Sequence, residues 1–187
     1  MKLKTEALVE CALMIAISTV LSFVKIDWLL GGGITIASML PLVIIAHRYG
    51  TRTGVIAAFV YGVLQMVLGL DNVQYATSFF MAVAIALLDY ILAYAVIGLS
   101  AVFDGKIRNR LASIVAGISM TFFLRFVCHF LSGWFVWEAL WPNARGWAAP
   151  VWSLAYNAAY MAPETAISIA AACLLYKPLR RYWDRVE

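Results

Sequence analysis

The sequence is 187 residues long, 64% hydrophobic and only 13% charged, with a mean hydropathy of +0.87, whereas a soluble domain carries roughly a quarter charged residues. That composition excludes an ordinary soluble core, and the length leaves room for a single domain, residues 1–187, with no separate soluble module. The net charge of +4 and pI of about 9.1 do not argue for nucleic acid, because the basic residues sit in short clusters between apolar runs.

The first apolar run is Ala7–Val24. Glu6 and Glu10 interrupt it and no small-residue cleavage site follows before Lys25, so it reads as a first helix and not as a signal peptide. Ala12 and Ala16 form a small-xxx-small step within it, a pattern that lets two helices approach closely, either inside the bundle or against a partner. A loop with Trp28 and the triplet Gly31, Gly32 and Gly33 follows. The second run, Ile34–Ala46, is short for a full span and is expected to be tilted, broken or extended through the glycines.

Further runs cover Val55–Leu70, Phe79–Phe103, Leu111–Trp137 and Val151–Tyr176. Eleven basic residues (Lys2, Lys4, Arg48, Arg52, Lys106, Arg108, Arg110, Lys177, Arg180, Arg181, Arg185) fall in the termini and alternate loops, against Lys25 and Arg145 in the others. The asymmetry alternates correctly only for an even number of spans. It predicts an all-α integral membrane protein, a six-transmembrane-helix bundle with both termini inside.

Ionisable residues within spans cost about 2.5 to 3.5 kcal/mol on insertion scales, so each asks for a partner or a purpose. Asp89, Arg125, His129 and Glu164 are of this kind. Asp89 has two open uses, an ion pair with Arg125 or a ligand contact. Arg125, His129, Gly133 and Trp137 recur at intervals of four and are expected on one helical face. In the sixth run Trp152, Tyr156, Asn157 and Tyr160 form an aromatic and polar stripe. A carboxylate and an amide beside aromatic faces suit a flat, cationic, hydrogen-bonding ligand.

Cys11, Cys128 and Cys173 show neither a disulfide framework nor a zinc spacing, and two histidines, His47 and His129, cannot build a polyhistidine site. No Walker A, H-E-x-x-H or G-x-S-x-G motif is present, so neither a metal nor an organic cofactor is expected, and any ATP hydrolysis belongs to a partner. A small membrane enzyme using Asp89 and His129 as acid and base is the rival reading, but no nucleophile accompanies them.

Several segments in order resemble one family. They are Gly31-Gly32-Gly33-Ile34-Thr35 leading to Met39-Leu40-Pro41, Arg48-Tyr49-Gly50, Leu88-Asp89-Tyr90, Leu124-Arg125 with His129, Ser132-Gly133, and Pro150-Val151-Trp152-Ser153-Leu154-Ala155-Tyr156-Asn157. This pattern resembles the thiamine-specific substrate-binding (S) components of energy-coupling factor transporters, the ThiT or YuaJ family, over almost the whole chain. The resemblance implies a non-enzymatic S component in the cytoplasmic membrane of a prokaryote. Its ligand is thiamine, or alternatively another vitamin or a thiamine precursor, and its partners are a transmembrane coupling protein and two ATPases. It also implies a ligand site at Asp89, Tyr90, His129, Trp137 and Asn157, with Arg125, Gly133, Trp152 and Tyr156 nearby. The Gly31 to Gly33 loop becomes a gate, and Ala12 and Ala16 the coupling face. Glu164 belongs to no motif of this resemblance.

Overall fold

The computed structural model describes residues 5–186; Lys2 and Lys4, part of the charge count above, lie outside the described residues. Helix α1 (Thr5–Ser22) leads into a hairpin, β1 (Lys25–Asp27) and β2 (Gly33–Thr35), joined through a short 3-10 turn at Leu29–Gly31. Then come α2 (Leu40–Tyr49), α3 (Thr51–Leu68), a short α4 (Leu70–Gln74), α5 (Phe79–Phe103), α6 (Arg110–Leu140), α7 (Ala149–Tyr176) and the small α8 (Arg180–Trp183). Helices α1, α3, α5, α6 and α7 are long and apolar enough to cross a membrane.

The second apolar run departs from expectation. Ile34 and Thr35 pair as a strand with Lys25 and Ile26, and helix begins only at Leu40, with Pro41 in its first turn. Proline there gives up a donor that has no helical partner anyway. The resulting helix has 10 residues, so it is about 15 Å long against a hydrocarbon layer of about 30 Å. Leu40 through His47 are all buried, which makes α2 the pillar around which the longer helices pack.

Two close crossings fix that packing. A side chain on Gly98 would collide with the backbone of Gly54 and Val55, and one on Gly117 with the Ser100 carbonyl. Glycine is required at both because α5 lies against α3 and α6 at backbone distance. Outward faces are apolar: Leu13, Phe59, Phe80, Phe123 and Leu174 are all exposed. A continuous surface of this kind marks contact with lipid rather than water.

Polar contacts gather the basic residues at one end. Arg48 holds Glu10 of α1 at 2.7 Å and 3.1 Å, the Tyr49 hydroxyl donates to the same carboxylate, and Arg48 also donates to the Arg181 carbonyl. Asp104, in the turn after α5, receives Arg110 at 2.6 Å, His47 Nδ1 at 3.0 Å and the Ser113 hydroxyl at 2.8 Å. Burial alone would raise the Asp104 pKa, but these donors outweigh it and bring the pKa down to about 2.

Candidate functional site

The opposite end is built differently. Both α5 and α6 loosen there into a π-helical turn, at Ala86–Ile91 and Gly133–Trp137 respectively. Such turns add a residue to the helical circuit and are frequent at functional sites. Asp89 sits in the first and Trp137 closes the second. Asp89 Oδ2 accepts from the Trp137 indole and from the Ser132 hydroxyl, each at 2.8 Å, while Oδ1 lies 3.3 Å from His129 Nδ1.

Arg125 does not pair with Asp89. It reaches across the bundle to Glu164 of α7 at 2.7 Å, with its guanidinium over the Tyr94 ring. The expected shared face of Arg125, His129, Gly133 and Trp137 therefore divides. His129 and Trp137 converge on one carboxylate, and Arg125, one turn before His129 in the regular part of α6, serves another on α7.

A cavity of about 220 Å³ opens between α6 and α7, walled by Asp89, His129, Trp137, Trp152, Tyr156 and Asn157, with Gly133 at its base. Trp137 and Trp141 stack at 5.5 Å, and on the facing wall Trp152 leans on Tyr156 at 5.9 Å. Asn157 donates to the carbonyls of Ser153 and His129 and accepts from Tyr160 at 2.8 Å, so its amide is fixed in place. A side chain on Gly133 would collide with Ser153, so its bareness lets α7 approach. Seven of the residues expected at a ligand site thus line one cleft: Asp89, His129, Gly133, Trp137, Trp152, Tyr156 and Asn157.

Tyr90 and Arg125 do not line it. Tyr90 borders an adjoining cavity of about 310 Å³ behind the Asp89 and His129 wall, where its hydroxyl donates to the Gly69 carbonyl and accepts from Asn72. Arg125 borders a third, more polar chamber of about 450 Å³ beneath the hairpin. Ala12 and Ala16 face outward on α1, outside the packing of the chain itself.

Sequence reasoning missed Glu138. It lines the cleft, and its Oε1 accepts from the backbone and side chain of Asn143. Its Oε2 and His129 Nε2 are both buried without a hydrogen-bond partner among the described residues. Position just past Trp137 was the available signal in the sequence, and an acidic residue near a helix end is too common to stand out.

Comparison with known proteins agrees with this architecture. The family model described as thiamine transporter protein (Thia_YuaJ) matches residues 8–183. The thiamine transporter ThiT of Bacillus subtilis (strain 168) is 31% identical over 183 residues, covering 90% of this chain and 89% of that protein. The solved structure of ThiT from Listeria monocytogenes superposes with a TM-score of 0.76 at 26% identity, over 95% of this chain and 96% of that one. An S component of a bacterial ECF transporter shares the fold, with a TM-score of 0.64 at 17% identity and the same coverage of 95% and 96%.

Proposed function

This chain belongs to the thiamine transporter family, and from that premise we propose that it is the thiamine-binding, substrate-capture subunit of an ATP-driven energy-coupling factor importer and catalyses nothing itself. The observation that carries the ligand assignment is the Asp89 carboxylate held between two aromatic walls with His129 as its neighbour and, among the described residues, no Lys or Arg in contact with it. Asp89 and Asn157 hydrogen-bond the aminopyrimidine. Trp137, Trp152 and Tyr156 flank the rings, and the cationic thiazolium gains from both the aromatic faces and the carboxylates. Gly133 keeps the floor open, and Tyr90 and Arg125 act from behind the wall by fixing the neighbouring chambers.

The whole chain serves as one membrane domain of six crossings in the cytoplasmic membrane of a prokaryote, with the basic end inside. The asymmetry of basic residues supports that orientation, as does the clustering of alternate helix ends in the Arg48 and Asp104 networks. Helix α2 completes its crossing together with the hairpin. With no nucleotide motif of its own, the chain draws energy from two ATPases through a transmembrane coupling protein that docks on the outward-facing Ala12 and Ala16.

Intrinsic tryptophan fluorescence of the detergent-purified protein, titrated with thiamine and with riboflavin and biotin as controls, tests the reading. Saturable quenching by thiamine alone is expected. A flat response from folded protein sinks the thiamine assignment, and the isolated pyrimidine and thiazole halves then report whether a precursor is the ligand. Ala12→Trp is expected to leave that titration unchanged and abolish uptake by whole cells.

A further inference from the structure

Glu164 is buried at 2% exposure in the middle of α7, and no feature of the cleft chemistry uses it. Arg125 cancels its charge through Oε2, which leaves Oε1 free. That second oxygen accepts from two donors of a single residue, the Thr35 hydroxyl at 2.5 Å and the Thr35 backbone N–H at 3.4 Å. Thr35 is the last residue of β2, so a membrane-embedded carboxylate holds the root of the hairpin. Ser38 braces the arrangement, its hydroxyl 2.7 Å from that of Thr35.

The hairpin needs such an anchor. Its strands are three residues each, β1 is exposed along its length, and an isolated two-stranded hairpin is marginal in water. It touches the bundle chiefly along α7. At its tip Gly32 lies flat on the Tyr160 ring, where any side chain would collide. Tyr160 and Glu164 are one helical turn apart on the same face, and the Tyr160 hydroxyl in turn donates to Asn157 in the cleft. One face of α7 therefore carries, in order, a cleft residue, the seat for the hairpin tip and the anchor for its root.

The backbone shows where the hairpin bends. Leu30 and Ala37, neither of them glycine, have φ of 65° and 52°. Such conformations persist only where surrounding contacts hold them, and Thr35 stands two residues before Ala37. An ion pair serving helix packing alone requires Arg125 and Glu164 and has no use for Thr35.

We propose that Glu164, charge-balanced by Arg125, is a positioning residue that latches the Lys25–Thr35 hairpin shut through Thr35, and that the latch sets how long the ligand stays in the cleft. The dwell-time part rests on the thiamine-capture reading; the latch itself does not. Both are tested on the full chain in detergent with Thr35→Val, which removes the hydroxyl and keeps the ion pair, and Thr35→Ser, which restores it. Thiamine dissociation is read by stopped-flow tryptophan fluorescence, and hydrogen–deuterium exchange is followed across residues 25–36 with no ligand present.

Thr35→Val is expected to speed dissociation about tenfold or more, the size of one lost charge-assisted hydrogen bond. Association is not slowed, and hairpin amides exchange faster while those of α2 and α6 do not change. Thr35→Ser is expected to behave as wild type in both measurements. Wild-type dissociation and wild-type hairpin exchange in Thr35→Val overturn the latch. Faster exchange with unchanged dissociation overturns only its control of dwell time. If the wild-type protein binds no thiamine, the capture reading fails, and the ligand-free exchange still decides the latch.

Discussion

Asp104, just past the end of α5, and Asp89, near its middle, are both anchored carboxylates, and the bundle treats them in opposite ways. Asp104, at the basic end, meets Arg110 at 2.6 Å together with His47 and Ser113. Asp89, in the cleft, is held by an indole and a hydroxyl, with His129 at 3.3 Å and, among the described residues, no guanidinium or ammonium in contact. The first charge is satisfied by the protein and ties helices together. The second is fixed in direction between aromatic walls with no Lys or Arg among the described residues to cancel it, an arrangement that suits a cationic ligand. Glu164 is a third case, its charge cancelled by Arg125 but one oxygen kept for the hairpin.

The largest effect that separates the two ends is on affinity. Asp89→Asn preserves size and removes the charge, and thiamine affinity is expected to fall about 100-fold, or roughly 3 kcal/mol, the upper range for a hydrogen bond to a charged group. A fluorescence titration measures it, with the thermal midpoint as the check on folding. Normal affinity in a folded variant would put Asp89 in the same structural class as Asp104.

Next in size is the mirror experiment on stability. Because the folded-state pKa of Asp104 lies near 2, below its ordinary 3.8, the carboxylate stabilises the fold fully above about pH 4 and loses that contribution as pH falls toward 2. The difference amounts to about 2 kcal/mol. Asp104→Asn is expected to lower the thermal midpoint at pH 7, to flatten the acid decline between pH 4 and 2, and to leave thiamine affinity within about twofold of wild type. A tenfold change in affinity would mean that the two ends are coupled.

Much of this contrast was legible in the sequence. The five long helices follow from apolar run length, and Asp89, His129, Trp137 and Asn157 stood out as polar or aromatic residues where lipid-facing ones were expected. The second run was misread because a short apolar stretch fits strand and helix equally well. There Ile34 and Thr35 found strand partners in Lys25 and Ile26, while Pro41 and Gly50 mark the true limits of the helix. The partner of Arg125 was hidden for another reason. Glu164 lies on another helix, and a period of four along α6 cannot reveal which carboxylate a distant helix will present.

A smaller effect is expected from Trp137→Phe, which keeps an aromatic face against Trp141 but deletes the indole donor to Asp89. Affinity should fall about tenfold, since the carboxylate loses a partner that fixes its direction while the stacking surface largely survives. A loss as large as that of Asp89→Asn would show that orientation of the carboxylate, and not its charge alone, carries recognition.

The finest division comes from Ser132→Ala. Ser132 is fully buried and donates to the same Oδ2 that receives the indole, so its loss removes one hydrogen bond from a neutral hydroxyl to the carboxylate and only a single oxygen of volume. A bond of that kind is worth about 1.5 kcal/mol or more to the carboxylate, and only the part that orients Asp89 reaches the ligand. Two tendencies oppose each other at this position: the freed lone pair becomes available to the ligand, but the carboxylate gains freedom to rotate. Trp137 still holds Oδ2 and His129 still faces Oδ1, so rotation stays limited, and a weakening of no more than fivefold is expected in the titration. If affinity rises instead, Ser132 competes with thiamine for Asp89, and the cleft carboxylate is closer to the self-satisfied condition of Asp104 than its lack of a basic partner suggests.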